Sequence, residues 1–130
     1  MLHVPGLYLL EDELKGRCIY TSVDLQPNDL IEICPIIKIP SGQLKHIDQT
    51  KLYDYYFLWE EEGFEACIAL GYGSLYNHSS TPNAEVIMDY DDGTIRIEAT
   101  QSIKASSEIL IDYTGGTRDV IKLWFEVKED

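Results

Sequence analysis

Between positions 84 and 100 the chain reads as two β-forming runs joined by Asp91-Asp92-Gly93, and this segment restricts the fold more than any other. An Asp-Gly step between such runs is a strong hairpin signal, because both residues accept the backbone that a tight turn demands. From Thr94 to Thr100 the alternation is clean, with Ile95, Ile97 and Ala99 on one face and Arg96 and Glu98 on the other. That is the period of a half-buried strand. Residues 17–23, 30–39 and 109–113 are further short β-rich runs. Pro35 interrupts the second and predicts an edge strand or a bulge there, since proline cannot donate to a sheet ladder.

Helical signals are fewer. Ser41 is placed to cap a short helix over residues 42–47. Residues 52–59 carry aromatic and aliphatic side chains on several faces, which predicts one buried helix, and Val120, Ile121, Leu123, Trp124 and Val127 predict a terminal one over 118–127. The fold class expected is mostly β, several small sheets with one or two short helices. At 130 residues and 45% apolar content, one domain spanning 1–130 can bury its own core.

Cys18, Cys34 and Cys67 are odd in number and widely spaced, with no Cys-x-x-Cys pair and no zinc-finger spacing, so they read as reduced, mostly buried thiols and no metal site is expected. The net charge of −13, from 23 acidic and 10 basic residues, repels phosphate backbones and favours cationic partners. Direct nucleic-acid binding is therefore disfavoured. No run of about 18 apolar residues and no signal-peptide pattern occurs, so a soluble, cytoplasmic protein without membrane association is expected.

The chemistry-bearing stretch is Gly71-Tyr72-Gly73-Ser74-Leu75-Tyr76-Asn77-His78-Ser79-Ser80-Thr81-Pro82-Asn83. Its glycines let backbone approach a ligand closely, Pro82 fixes the exit, and Asn77 and His78 fall at the end of a short strand. An isolated Asn-His pair more often satisfies neighbouring backbone than binds a ligand. Here it is accompanied by Glu108-Ile109-Leu110-Ile111-Asp112-Tyr113 downstream, and by Gly16-Arg17-Cys18 with Asp29-Leu30-Ile31-Glu32 upstream.

These blocks, in this order, resemble the SET domain family of protein lysine methyltransferases, and in particular the minimal viral-type SET proteins. Asp54-Tyr55-Tyr56-Phe57 and Ala69-Leu70-Gly71-Tyr72-Gly73 match the viral pattern as well. The likeness covers all but roughly the last 15 residues. It implies a SET-type fold with a core over about 5–115, a knot-like C-terminal strand, and a segment 116–130 closing the site. It further implies transfer of a methyl group from S-adenosylmethionine to a lysine of a basic protein or peptide, such as a histone, and a homodimer.

Carried over by position, the resemblance makes Tyr113 the catalytic tyrosine and Tyr55 an aromatic of the lysine channel, with Trp124 and Phe125 closing the channel or covering adenine. Gly16, Arg17 and Cys18 match the turn that contacts the methionine part of the cofactor, and Asn77 and His78 match positions holding its amino and adenine parts. Three residues depart from the pattern: Cys18 replaces the second glycine of the first turn, Ser80 replaces a cysteine, and Ser107 replaces the glycine before Glu108. A side chain at position 18 would crowd the cofactor if that position took positive φ.

Methyl transfer to an amine is an in-line displacement that needs alignment and no metal. Tyrosine hydroxyls can orient the methyl group and aromatic faces favour the sulfonium charge. Glu60-Glu61-Glu62, Asp89, Asp91 and Asp92 could attract basic residues flanking the target lysine. A nucleophilic hydrolase is excluded, because Gly71-x-Gly73-Ser74 lacks the Gly-x-Ser-x-Gly order. The alternative that stays open is a non-catalytic SET-like module for peptide binding or assembly, motivated by Cys18 and by the absence of a zinc-binding cysteine segment.

Overall fold

A computed structural model describes residues 2–3, 5–61, 63 and 65–112. The chain forms β1 (Leu2–His3), β2 (Leu7–Asp12), β3 (Gly16–Thr21), β4 (Leu30–Ile39), α1 (Leu44–Ile47), β5 (Phe57–Trp59), β6 (Glu65–Ala69), β7 (Asn77–His78), β8 (Ala84–Asp89), β9 (Thr94–Ala99), β10 (Ser107–Glu108) and β11 (Leu110–Ile111). Short 3-10 turns cover Ser41–Gln43, Lys51–Asp54 and Gly73–Leu75. The largest sheet runs β5-β6-β4-β9-β8 with β1 added against β4; β10-β3-β2 form a second sheet, and β11 pairs with β7 in parallel. The mostly-β expectation is met.

The hairpin anticipated at Asp91-Asp92-Gly93 is present. Asp89 pairs with Thr94, Gly93 takes φ +68°, and its amide donates to the Asp89 carbonyl at 2.8 Å. The alternation has the predicted consequence, with Ile95, Ile97 and Ala99 buried in the main core. Long β4 links the two halves of the sheet: Leu30 to Pro35 pair with β9, and Ile36 to Ile39 pair with β6. Pro35 therefore lies in a central strand, not at an edge. Its missing N–H falls where β4 changes ladder, while the strand's irregularity lies earlier, between Leu30 and Glu32. The sheet curls far enough for Trp59 of β5 to meet Tyr90, beyond β8, edge to face at 4.7 Å between ring centres.

The helix expected over 52–59 does not form. A 3-10 turn ends at Asp54, and Phe57, Leu58 and Trp59 become a fully buried strand against Cys67, Ala66 and Glu65. Burial on a sheet overrides an ambiguous local pattern, and aromatic residues suit that setting. Ser41 does not cap the first helical segment; Pro40 holds the cap position and Ser41 lies inside the 3-10 turn. The expected terminal helix and the knot-like threading fall beyond Asp112, outside the described residues. All three cysteines are free and buried, as their spacing suggested. Among the described residues no helix is long and apolar enough to cross a membrane.

Candidate active site

The β2–β3 hairpin builds one wall of the site. Asp12 closes it by accepting from the amides of Leu14 at 2.7 Å and Lys15 at 3.1 Å, and these bonds hold its carboxyl below the usual range. Gly16 then takes φ +78°, with open space where a Cβ would stand. That conformation suits glycine. Cys18, by contrast, does not have positive φ; it is an ordinary strand residue paired with Leu10, and its side chain is buried. The crowding expected of a non-glycine residue at position 18 therefore has no backbone basis. Burial, and next the carboxylate of Glu108, push its thiol up to about 11, so it stays protonated at neutral pH.

The opposite wall is the parallel pair β7 and β11, with Leu110 beside Asn77 and Ile111 beside His78. Asn83 ties this wall together, accepting from the Leu110 amide at 2.8 Å through Oδ1 and donating to the Glu108 carbonyl at 2.9 Å through Nδ2. Asn77 joins the two walls. Its Nδ2 donates to the Arg17 carbonyl at 3.0 Å and to Glu108 Oε2 at 2.8 Å, with Cys18 Sγ at 3.3 Å. Acceptor oxygens on that side fix which end of the amide is nitrogen. Glu108 is held in turn by Lys15 Nζ, 3.0 Å from Oε1. The glycine-like turn ahead of Glu108 is also present, but the left-handed residue is Ser106 at φ +71°; Ser107 is an extended partner of Thr21.

A cleft of about 360 Å³ opens between these walls. Gly16, Arg17 and Asn77 line it, with Tyr55 just after the Lys51–Asp54 turn and Ser74 and Leu75 from the 3-10 turn before β7. Lys15, Lys51, Glu11 and Asp54 complete its rim. Four of the sequence-selected residues thus meet at one place. Cys18 lies buried behind them, and His78 is not among the lining residues; its Nδ1 stands 3.7 Å from Asp112 Oδ1. Tyr113, Trp124 and Phe125 lie outside the described residues. The roles of Lys15, Lys51 and Asp54 were missed, and only the folded chain reveals them: Lys15 and Glu108 are 93 positions apart. Among the described residues no cluster of His, Cys, Asp and Glu suits a metal ion.

The SET domain profile matches residues 16–114. The chain belongs to the SET domain family. It is 29% identical over 121 residues to a Schizosaccharomyces pombe histone-lysine N-methyltransferase specific for H3 lysine-37, a match covering 92% of this chain and 77% of that protein. A Plasmodium falciparum crystal structure, provisionally named a histone methyltransferase, superposes with a TM-score of 0.68 at 30% identity, covering 87% of this chain and 95% of that one. The Cryptosporidium protein CpSET8 shares the fold at TM-score 0.66 and 21% identity, over 82% of this chain and 56% of that one.

Asn77→Ala removes the donor that joins the two walls and strips a partner from a largely buried Glu108 carboxylate. A loss of about 2 kcal/mol is expected in urea denaturation, the range for hydrogen bonds to charged groups. If the cleft between the walls holds a small-molecule cofactor, the same change should weaken its binding. Unchanged cofactor affinity in the folded variant would leave Asn77 a purely structural brace.

Proposed function

We propose that this chain transfers a methyl group from S-adenosylmethionine to a lysine side chain of a basic protein or peptide. The observation that carries the reading is the convergence of Gly16, Arg17, Asn77 and Tyr55 on one cleft in a SET family chain. The fission yeast relative, a histone-lysine methyltransferase, supports the reaction class.

The cleft suits such a cofactor. Its volume of about 360 Å³ lies within the span of small-molecule sites. Its rim sets Lys15, Arg17 and Lys51 among Glu11 and Asp54, a mixture that matches a ligand bearing a carboxylate, an ammonium and a sulfonium. When bound, S-adenosylmethionine supplies an electrophilic methyl group for in-line displacement by the lysine amine. The Gly16-Arg17 turn and the Asn77-His78 strand would hold the cofactor. Tyr55 would flank the lysine, its ring favouring cationic groups. Tyr113 would orient the methyl group through its hydroxyl. An apolar channel around the lysine would help it lose its proton by disfavouring the charged form. The net charge of −13 suits a basic substrate.

The alternative of a non-catalytic module loses one of its two grounds, because Cys18 occupies an ordinary strand conformation. Calorimetric titration with S-adenosylmethionine separates the readings. Saturable binding is expected; no heat of binding at millimolar cofactor would contradict the enzyme reading.

A further inference from the structure

Glu32 is fully buried in β4, where its backbone pairs with His3 of β1 and Ile97 of β9. A buried carboxyl group is costly unless its oxygens find donors. Here both do: Oε1 accepts from the Tyr76 hydroxyl at 2.7 Å and Oε2 from the Tyr72 amide at 3.0 Å. Tyr72 and Tyr76 are the two residues that flank the Gly73–Leu75 turn. One carboxyl group therefore grips both ends of a single turn.

Other contacts press the same turn onto the sheet. The buried Ser74 hydroxyl accepts from the Ala69 amide at 3.1 Å. Gly73 sits so close to Cys34 and Ala69 that a Cβ would come within 2.8 Å and 2.6 Å of them. Cys34 lies two residues after Glu32, on the same face of β4. The turn carries Ser74 and Leu75 into the cleft, and Asn77 follows Tyr76 directly. Burial, and next Glu32, push the Tyr76 hydroxyl far above its ordinary range, so it remains a donor.

We propose that Glu32 is a positioning residue for the cofactor site: through Tyr72 and Tyr76 it sets the placement of the Gly73–Leu75 turn and thereby the cleft surface formed by Ser74, Leu75 and Asn77. This rests on the reading of the cleft as the S-adenosylmethionine site. It assigns cofactor affinity, not peptide affinity, to a side chain that never touches either ligand.

The test is calorimetry with S-adenosylmethionine on the whole chain, with peptide KM measured in parallel. Tyr76→Phe, which deletes one of the two grips and keeps the ring, should weaken cofactor binding by roughly fivefold with peptide KM unchanged. Glu32→Leu should weaken it further. Glu32→Gln should stay within about twofold, because an amide can accept from the Tyr72 N–H while donating to the Tyr76 oxygen. Ile97→Val, a loss of core packing beside Glu32, supplies the comparison for a purely structural effect. A folded Tyr76→Phe with wild-type cofactor affinity would overturn the inference, as would equal weakening by Ile97→Val at the same loss of melting temperature. A wild-type chain that binds no cofactor would overturn the functional reading and this inference with it; wild-type binding with an unaffected Tyr76→Phe would overturn this inference alone.

Discussion

Tyr113→Phe is expected to lower methyl transfer by about 10²-fold or more while leaving the fold unchanged. Phenylalanine keeps the ring and removes only the hydroxyl proposed to orient the methyl group. In a displacement whose catalysis rests on alignment, misplacing the reacting atoms by about 1 Å can cost that much. The effect should fall on kcat, since in the proposed role the hydroxyl would act on the group being transferred rather than on either ligand's remote parts. A radiolabelled methyl assay beside circular dichroism separates the outcomes. Unchanged turnover in a folded variant would show that another residue faces the methyl group.

The second large effect is on stability. Gly73→Ala should lose about 3 kcal/mol in urea denaturation, the upper end of what overpacking a core costs. The added methyl would meet Ala69 Cβ at 2.6 Å and Cys34 Sγ at 2.8 Å. Neither neighbour can swing away, because Ala69 has no further torsion and Cys34 is fully buried. Relief requires the turn to lift off the sheet, and the turn carries Ser74 and Leu75, so cofactor affinity should fall as well. Gly42→Ala is the matched control. It has nothing within 4 Å of the new Cβ and no positive φ, so its effect should stay within about 0.5 kcal/mol. Equal stability of the two variants would mean that the packing around Gly73 is looser than described.

The parts of this fold that could be read from sequence are those whose cause is local. The alternation of Ile95, Ile97 and Ala99 and the turn at Gly93 together define the β8–β9 hairpin without reference to anything distant. Residues 30–39 were legible as a β-rich apolar run, though one expected to break at Pro35, where the strand in fact continues to Ile39. Phe57 to Trp59 were not, because three large apolar residues in a row suit a buried helix as well as a buried strand, and the partner that decides, β6, is supplied by tertiary structure. Pro35 misled for the same reason: a local rule points to an edge, while the changeover between two ladders tolerates proline at the centre.

In the site, the Asn77 and Gly16-Arg17 blocks were legible because their spacing follows a family pattern, and the folded chain brings them to one cleft with Tyr55. The pattern names His78 beside Asn77 as well; adjacent residues of a strand point to opposite faces, and the His78 imidazole stands 3.7 Å from Asp112. Glu108 stood within a quoted motif with no role attached. Its function as the anion that gathers Lys15 and Asn77 depends on a contact between hairpin β2–β3 and strand β10, which no single segment encodes. Glu32 was equally silent, since a carboxylate in an apolar run reveals its partners only once Tyr72 and Tyr76 fold over it.

The most direct test of the central claim is incubation of the purified chain with S-adenosylmethionine carrying an isotopically labelled methyl group and a panel of histones, ribosomal proteins and DNA-binding proteins, followed by peptide mass spectrometry. Labelled methyl groups on lysine side chains of a basic protein, lost in Tyr113→Phe, are the predicted result. Absence of label from every protein in the panel, under conditions where the chain binds the cofactor, would contradict it.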